Sequence, residues 1–153
     1  MPTPAALAID LDGALGDTSA LWHDWLADAA RVLPLDVASL PGDRADAAAA
    51  LDAEGGNWRS LLERFAEERA PVYLRPDASA TAALRRLETA GAALGVYTDA
   101  PVELAQVALA HLGAARRVSR LEAGSGALER LLAELGGGAR VITTRDGLVA
   151  AAV

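Results

Sequence analysis

The sequence has 153 residues, a length that suits one globular domain or a small domain carrying an insertion. It contains no cysteine, which excludes disulfides and thiolate chemistry, and no lysine, so that arginine supplies all 14 basic side chains. The 21 acidic residues give a formal net charge of −7, and a chain this acidic repels nucleic acid.

The N-terminal segment and the apolar runs indicate where the protein resides. Residues 1–10 contain no basic segment followed by a cleavage site, so we expect no secretory signal. No apolar run approaches the roughly 20 residues that cross a bilayer. We therefore expect a cytoplasmic protein that does not bind membranes, and the sequence leaves its oligomeric state open.

The first half of the chain has the pattern of one strand followed by three helices. Residues 5–10 form a short apolar run that ends in an acid, which predicts a buried parallel strand. Apolar residues at helical spacing predict a helix over Thr18–Leu33. Two further helical segments follow at residues 44–56 and 57–70, the second of them stopped by Pro71. Three helices without an intervening strand indicate an inserted unit.

The second half alternates strands with helices. The predicted elements are a helix through Ala90 capped by Asp77 or Ser79, a strand at 92–100, a helix at 101–113, a weak strand at 116–122, a helix from its cap Ser125 to Gly136, and a strand at 139–146. Such alternation is typical of a parallel sheet with right-handed crossovers. We therefore predict an α/β fold, a Rossmann-like parallel sheet with helices on both faces.

Two acids, Asp10 and Asp12, directly follow the first predicted strand, and Gly13 comes next. Ligands of open parallel sheets bind beyond the carboxyl ends of the strands. Both carboxylates reach one ligand only if the chain bends at the end of the strand, and Gly13 permits that bend. One carboxylate could then attack a phosphoryl group while the other protonates the leaving oxygen. The same acids also suit a structural turn without a ligand.

Longer stretches around these acids carry a family resemblance. The segment "IDLDGALGDTSALW" resembles the first motif of the haloacid dehalogenase (HAD) superfamily, and especially of its phosphoglycolate-phosphatase-like members. The segment "LRPDASATAALRRLETAGAALGVYTDAP" is similar to the stretch that leads into the family's second motif, which ends at Thr98. The resemblance implies a Rossmann-like core at residues 1–15 and 76–153 and a helical cap inserted at residues 16–75.

The resemblance also implies an activity and the roles of individual residues. Asp10 would be the nucleophile that forms an aspartyl-phosphate, and Asp12 would be the acid/base. Thr98 would bind the phosphate, with Gly13 and Asp99 beside it; Asp99 could instead cap the next helix. The implied function is a magnesium-dependent phosphatase, a HAD-like phosphoric monoester hydrolase acting on a small phosphorylated metabolite.

The magnesium site would be held by Asp10, by the carbonyl group of Asp12 and by an acid of the family's fourth motif. One alignment of that motif places Thr143–Thr144 on its Gly-Asp pair, which removes the metal-binding carboxylates. Sliding the alignment by two residues leaves Asp146 as the metal ligand. We therefore assign the metal to Asp10, Asp12 and Asp146.

The family's third motif has a lysine, which this chain lacks. Gly124 and Ser125 stand where that motif would fall. Arg116, Arg117 and Arg120 are near in sequence and could supply the positive charge, although a guanidinium has a different geometry. The alternative is a catalytically inactive HAD-like protein that binds a phosphorylated ligand or a protein partner.

Overall fold

Four parallel strands form the central sheet of the computed structural model, which describes residues 4–153. The strands are β1 (Ala6–Asp10), β2 (Ala93–Thr98), β3 (Arg120–Ala123) and β4 (Arg140–Ile142). Their order in the sheet is β3-β2-β1-β4, so that β1 and β2 are the two central strands. The predicted α/β class and the parallel sheet are confirmed.

Seven α-helices accompany the sheet within the described residues. They are α1 (Ser19–Ala29), α2 (Arg44–Glu54), α3 (Trp58–Tyr73), α4 (Ala78–Thr89), α5 (Val102–His111), α6 (Ala127–Leu135) and α7 (Arg145–Ala151). None of them is long and apolar enough to cross a membrane. As predicted, α1, α2 and α3 follow one another between β1 and α4 without an intervening strand.

The two faces of the sheet bury side chains of different size. One face carries large apolar residues that pack with α4, α5 and α7 in the main hydrophobic core, namely Leu7, Ile9, Leu94 and Val96. On the other face, Ala8 pairs in register with Gly95. A Cβ atom on Gly95 would lie 2.5 Å from Leu131 Cδ1 of α6. Small residues on that face therefore let α6 approach closely, and helices cover both faces.

The helices α1–α3 have a hydrophobic cluster of their own. Trp22, Trp25 and Trp58 are buried in it, with ring centroids 5.3 Å apart for the first pair and 5.8 Å for Trp25 and Trp58. These tryptophans fill a core, as their positions on helices indicate. Tyr73 and Val107 pack against both this cluster and the main core. The exact division into core and cap at residues 16 and 75 stays a prediction.

Several predicted boundaries were wrong. The helix predicted to Leu33 ends at Ala29, because Leu33 precedes a proline and that position disfavours helical backbone. Helix α3 continues through Pro71 to Tyr73, although a proline lacks the backbone donor and crowds the carbonyl group four residues earlier. Gly126, with a φ of 68°, takes the cap position of α6 that was predicted for Ser125.

The end of the chain also differs from the prediction. The last strand covers only Arg140–Ile142, and residues 145–151 form α7 instead of continuing the strand. Thr144 caps this helix, because its Oγ1 accepts a hydrogen bond of 3.0 Å from the Gly147 N–H. The predicted cap of α4 is confirmed, since the Asp77 carboxylate accepts a bond of 2.9 Å from the Ala80 N–H.

Candidate functional site

The chain bends sharply where β1 ends. Residues 11–15 form one wide turn, in which Gly13 has a φ of 123°. A Cβ atom at Gly13 would lie 2.6 Å from the carbonyl oxygen of Thr143, in the loop after β4. Both the backbone angle and this close approach require glycine. The bend predicted at Gly13 is present, and it directs Asp12 back toward the carboxyl edge of the sheet.

The carboxylate of Asp12 is saturated with hydrogen bonds. Its Oδ1 accepts from the Thr18 N–H at 2.8 Å and from the Thr18 hydroxyl at 2.6 Å. Its Oδ2 accepts from the Thr98 hydroxyl at 2.9 Å and from Arg44 Nη2 at 2.5 Å. A carboxylate offers about four acceptor positions, and all of them are used. Asp12 thus connects β1, β2 and the helices α1 and α2.

Arg44, the first residue of α2, is the cation of this site, and no sequence motif pointed to it. Its Nε and Nη2 donate to Asp99 Oδ1 at 3.1 Å and 2.7 Å, and its Nη1 donates to the Thr18 hydroxyl at 2.6 Å. The side chain is 9% exposed. Asp99 does not cap α5, whose cap position is held by Pro101. In the sequence, Arg44 is marked only by its position directly after Asp43, the residue that caps α2. That position indicates the start of a helix but no chemical role for Arg44.

The arginines predicted to replace the missing lysine lie elsewhere. Arg117 pairs with Glu88 at 2.5 Å, Arg120 pairs with Glu134 at 3.2 Å, and Arg116 is exposed. Short local pairs hold the first two away from Asp10. The positive charge beside the acids comes from Arg44 on α2, a part of the chain that sequence proximity did not suggest.

Asp10 and Asp12 differ in protonation. Burial, together with the negative charge of Asp12, raises the pKa of Asp10 to about 6. Burial acts in the same direction on Asp12, but the charge of Arg44 and the Thr18 hydrogen bonds outweigh it and hold the pKa of Asp12 below its ordinary value. Near neutral pH both carboxylates are therefore mainly ionised, and Asp12 is the less readily protonated of the two.

Two pockets open on either side of Asp12. The smaller, of about 330 Å³, is lined by acids and by Arg44, and includes Asp10, His23 and Asp99. The larger, of about 630 Å³, is lined by Asp12 and Gly13 together with two further cations, Arg75 and Arg145. Asp10 thus faces the smaller pocket, whereas Thr98 is buried, lines neither of these two pockets and donates its hydroxyl hydrogen to Asp12.

The structure does not bring the predicted metal ligands together. Asp146 is exposed in the first turn of α7. Among residues 4–153 there is no group of three or more acids or histidines arranged to hold a metal ion. The predicted set is reduced to Asp10 and the carbonyl of Asp12, and the charge of Arg44 acts on Asp10 from nearby. This donor set does not fit a resident magnesium ion, because it supplies only two of the octahedral oxygen ligands that the ion requires and the adjacent Asp12 carboxylate is already bound to Arg44.

Comparisons with solved structures identify the fold. The chain is similar to CbbY from Rhodobacter sphaeroides in complex with phosphate (TM-score 0.65, 18% identity, covering 90% of this chain and 76% of that one). It is also similar to a putative beta-phosphoglucomutase from Thermotoga maritima (TM-score 0.54, 18% identity, covering 97% and 82%). No protein-family model and no curated protein sequence matches the chain. The chain therefore has a HAD-like fold, as the sequence motifs predicted.

Proposed function

We propose that this protein is a HAD-like phosphoric monoester hydrolase that acts on a small phosphorylated metabolite through Asp10. The observation that carries the proposal is the meeting of Asp10, Asp12 and Thr98 at the carboxyl edge of β1 and β2, beside a pocket. This edge is where parallel sheets bind their ligands. The CbbY structure with the same fold holds phosphate, which supports phosphate as the ligand class.

Asp10 has the properties of a nucleophile. Within the described chain its carboxylate accepts one hydrogen bond, of 3.1 Å from the Asp12 N–H to Oδ1. The second oxygen is free to attack phosphorus. The ester P–O bond then breaks, the alcohol leaves with a proton taken from water, and a second water hydrolyses the aspartyl-phosphate to inorganic phosphate and free Asp10. With a pKa of about 6 the group is ionised at neutral pH. Arg75 and Arg145 line the neighbouring larger pocket, which shares Asp12 with the pocket of Asp10, and their charges would attract an anionic substrate toward the site.

Phosphate release from a generic aryl phosphate tests the proposal. We expect turnover by the wild-type protein and none by Asp10→Asn, because an amide cannot form the acyl-phosphate. Asp146→Asn is the matched control, since Asp146 is exposed and should leave turnover unchanged. Each protein is assayed with magnesium and with EDTA, because magnesium dependence stays a prediction. No release from any member of a broad panel of phosphate monoesters would contradict the proposal.

A second candidate function is supported by the state of Asp12. A carboxyl group whose pKa is lowered by Arg44 stays ionised at neutral pH and holds no proton to give to a leaving group. The site could then bind a phosphorylated ligand without hydrolysing it. The same panel of phosphate monoesters separates the two functions. If calorimetry shows that the wild-type protein binds a monoester but no phosphate is released, the result favours the binding protein. A protein partner, the cytoplasmic location and the lack of nucleic-acid and membrane binding stay predictions.

A further inference from the structure

We infer that Arg44 is the resident cation of this site and takes the place of a divalent metal ion as the counter-charge of Asp12 and Asp99. The inference concerns the site on which the proposed function rests, and it adds that a residue of α2 neutralises the acids. It follows from the contacts of the guanidinium with two of the acids and from the saturation of the Asp12 carboxylate.

Arg44 offsets part of the negative charge of the site. Three carboxylates line the smaller pocket, and Arg44 is the cation among its lining residues. Its Nη2 lies 2.5 Å from Asp12 Oδ2 and 2.7 Å from Asp99 Oδ1, so one nitrogen bridges two acids. Because the guanidinium is almost fully buried, its pairs with these acids are weakly screened by solvent. Removing Arg44 would leave the acids without compensation.

A divalent cation and Arg44 compete for the same oxygens. A metal ion binds carboxylate oxygens at about 2.0–2.6 Å and needs a free lone pair. Asp12 has none left, because Thr18, Thr98 and Arg44 use its four acceptor positions. A metal could use the Asp12 side chain only after displacing Arg44. The guanidinium therefore excludes metal from the Asp12 carboxylate while it remains in place.

The position of α2 determines whether the Arg44 guanidinium reaches the acids. Arg44 lies 32 residues after Asp12 and 55 residues before Asp99, so the contact depends on the packing of α2 against the sheet edge. The Asp43 carboxylate caps α2 by accepting a 2.9 Å bond from the Asp46 N–H. This cap fixes the start of the helix and the direction in which Arg44 leaves it.

Metal binding measured by thermal denaturation tests the inference without any substrate. For the wild-type protein we expect no change of Tm at about 10 mM magnesium or manganese. For Arg44→Gln we expect those ions to raise Tm by about 3 °C, because the unpaired carboxylates become available as ligands. Arg59→Gln is the matched control: Arg59 also bridges two acids, Asp52 and Glu103, but outside the site. We expect no response to metal in that variant.

Two results would overturn the inference. One is a rise of the wild-type Tm with magnesium that Asp10→Asn abolishes, which would show a metal site coexisting with Arg44. The other is a lack of any metal response in Arg44→Gln. If that variant is unfolded in EDTA, circular dichroism replaces Tm: recovery of helical signal with magnesium supports the inference, and a chain that stays unfolded contradicts it. Phosphate release plays no part, so failure of the proposed hydrolase activity remains a separate result.

Discussion

Asp10 and Asp12 have the same side chain and are separated by one residue, yet their surroundings change their pKa values in opposite directions. Asp10 is half-buried, accepts one backbone hydrogen bond and has a pKa of about 6. Asp12 accepts four hydrogen bonds, one of them from a guanidinium. Environments that separate the pKa values of paired carboxylates often give them different chemical roles. Here the separation favours Asp10 as nucleophile and makes Asp12 an anchor for Arg44.

The raised pKa of Asp10 predicts a pH-dependent stability. Its carboxyl ionises near 3.8 in the unfolded chain and near 6 in the folded protein. The folded state therefore binds more protons between these values, and the free energy of unfolding falls as the pH rises through this range. The penalty is complete above about pH 6, where the folded protein holds an ionised Asp10 beside Asp12.

We expect Asp10→Asn to raise Tm by about 3 °C at pH 7, the shift that about 1 kcal/mol gives in a domain of this size after solvent screening of a half-exposed group. The gain should shrink between pH 6 and about pH 4, where Asp10 is protonated in both states. Differential scanning calorimetry across this pH range measures it. The exposed Asp146→Asn serves as control, and a gain independent of pH would rule out Asp10 ionisation as the cause.

Among the elements, helix α6 packs closely on the sheet because one residue of β2 is a glycine and has no Cβ atom. Gly95 lies in the middle of β2, and a Cβ atom there would come within 2.5 Å of Leu131 Cδ1 and 3.2 Å of Leu131 Cγ. Leu131 is fully buried. The whole side chain, and not only its tip, would have to move, so this contact sets the distance between α6 and the sheet.

Gly95→Ala should lower the free energy of unfolding by about 2 kcal/mol, as overpacking in a buried contact does, or Tm by roughly 6 °C. Gly137→Ala is the matched control, because a Cβ atom there meets nothing within 4 Å. Chemical denaturation of both variants measures the difference. Equal midpoints for the two variants would mean that α6 shifts on the sheet at no cost.

At the scale of the whole molecule, two apolar clusters meet at shared side chains. Tyr73, at the end of α3, and Val107, on α5, pack against both the main core and the cluster of α1–α3. Arg44 adds a polar connection between α2 and the sheet edge. With contacts of both kinds between them, we expect the two clusters to unfold together.

The three tryptophans give a direct measure of this coupling, because all of them lie in the cluster of α1–α3. We expect urea unfolding followed by tryptophan fluorescence to coincide with unfolding followed by far-ultraviolet circular dichroism, which reports every helix. Arg44→Gln should shift both midpoints equally. A fluorescence transition at lower urea than the circular dichroism transition would show that the helices α1–α3 unfold by themselves.

The sequence by itself determined the β-α alternation, the placement of Asp10 and Asp12 at the end of β1, and the need for glycine at position 13. These features follow from local rules: apolar periodicity selects strand or helix, and a sharp bend needs a residue without a Cβ atom. The local signal failed at Asp146, where Thr144 starts a helix and leaves the acid exposed.

Only the tertiary structure decided which cation meets the acids. Arg44 reaches Asp12 and Asp99 across separations of 32 and 55 residues, and no local pattern distinguishes it from the other 13 arginines. The pKa values of Asp10 and Asp12 were likewise closed to sequence reasoning, because burial and neighbouring charge depend on how α2 packs against the sheet edge. Electrostatic interactions act through space, so the charge balance of this site is a property of the fold.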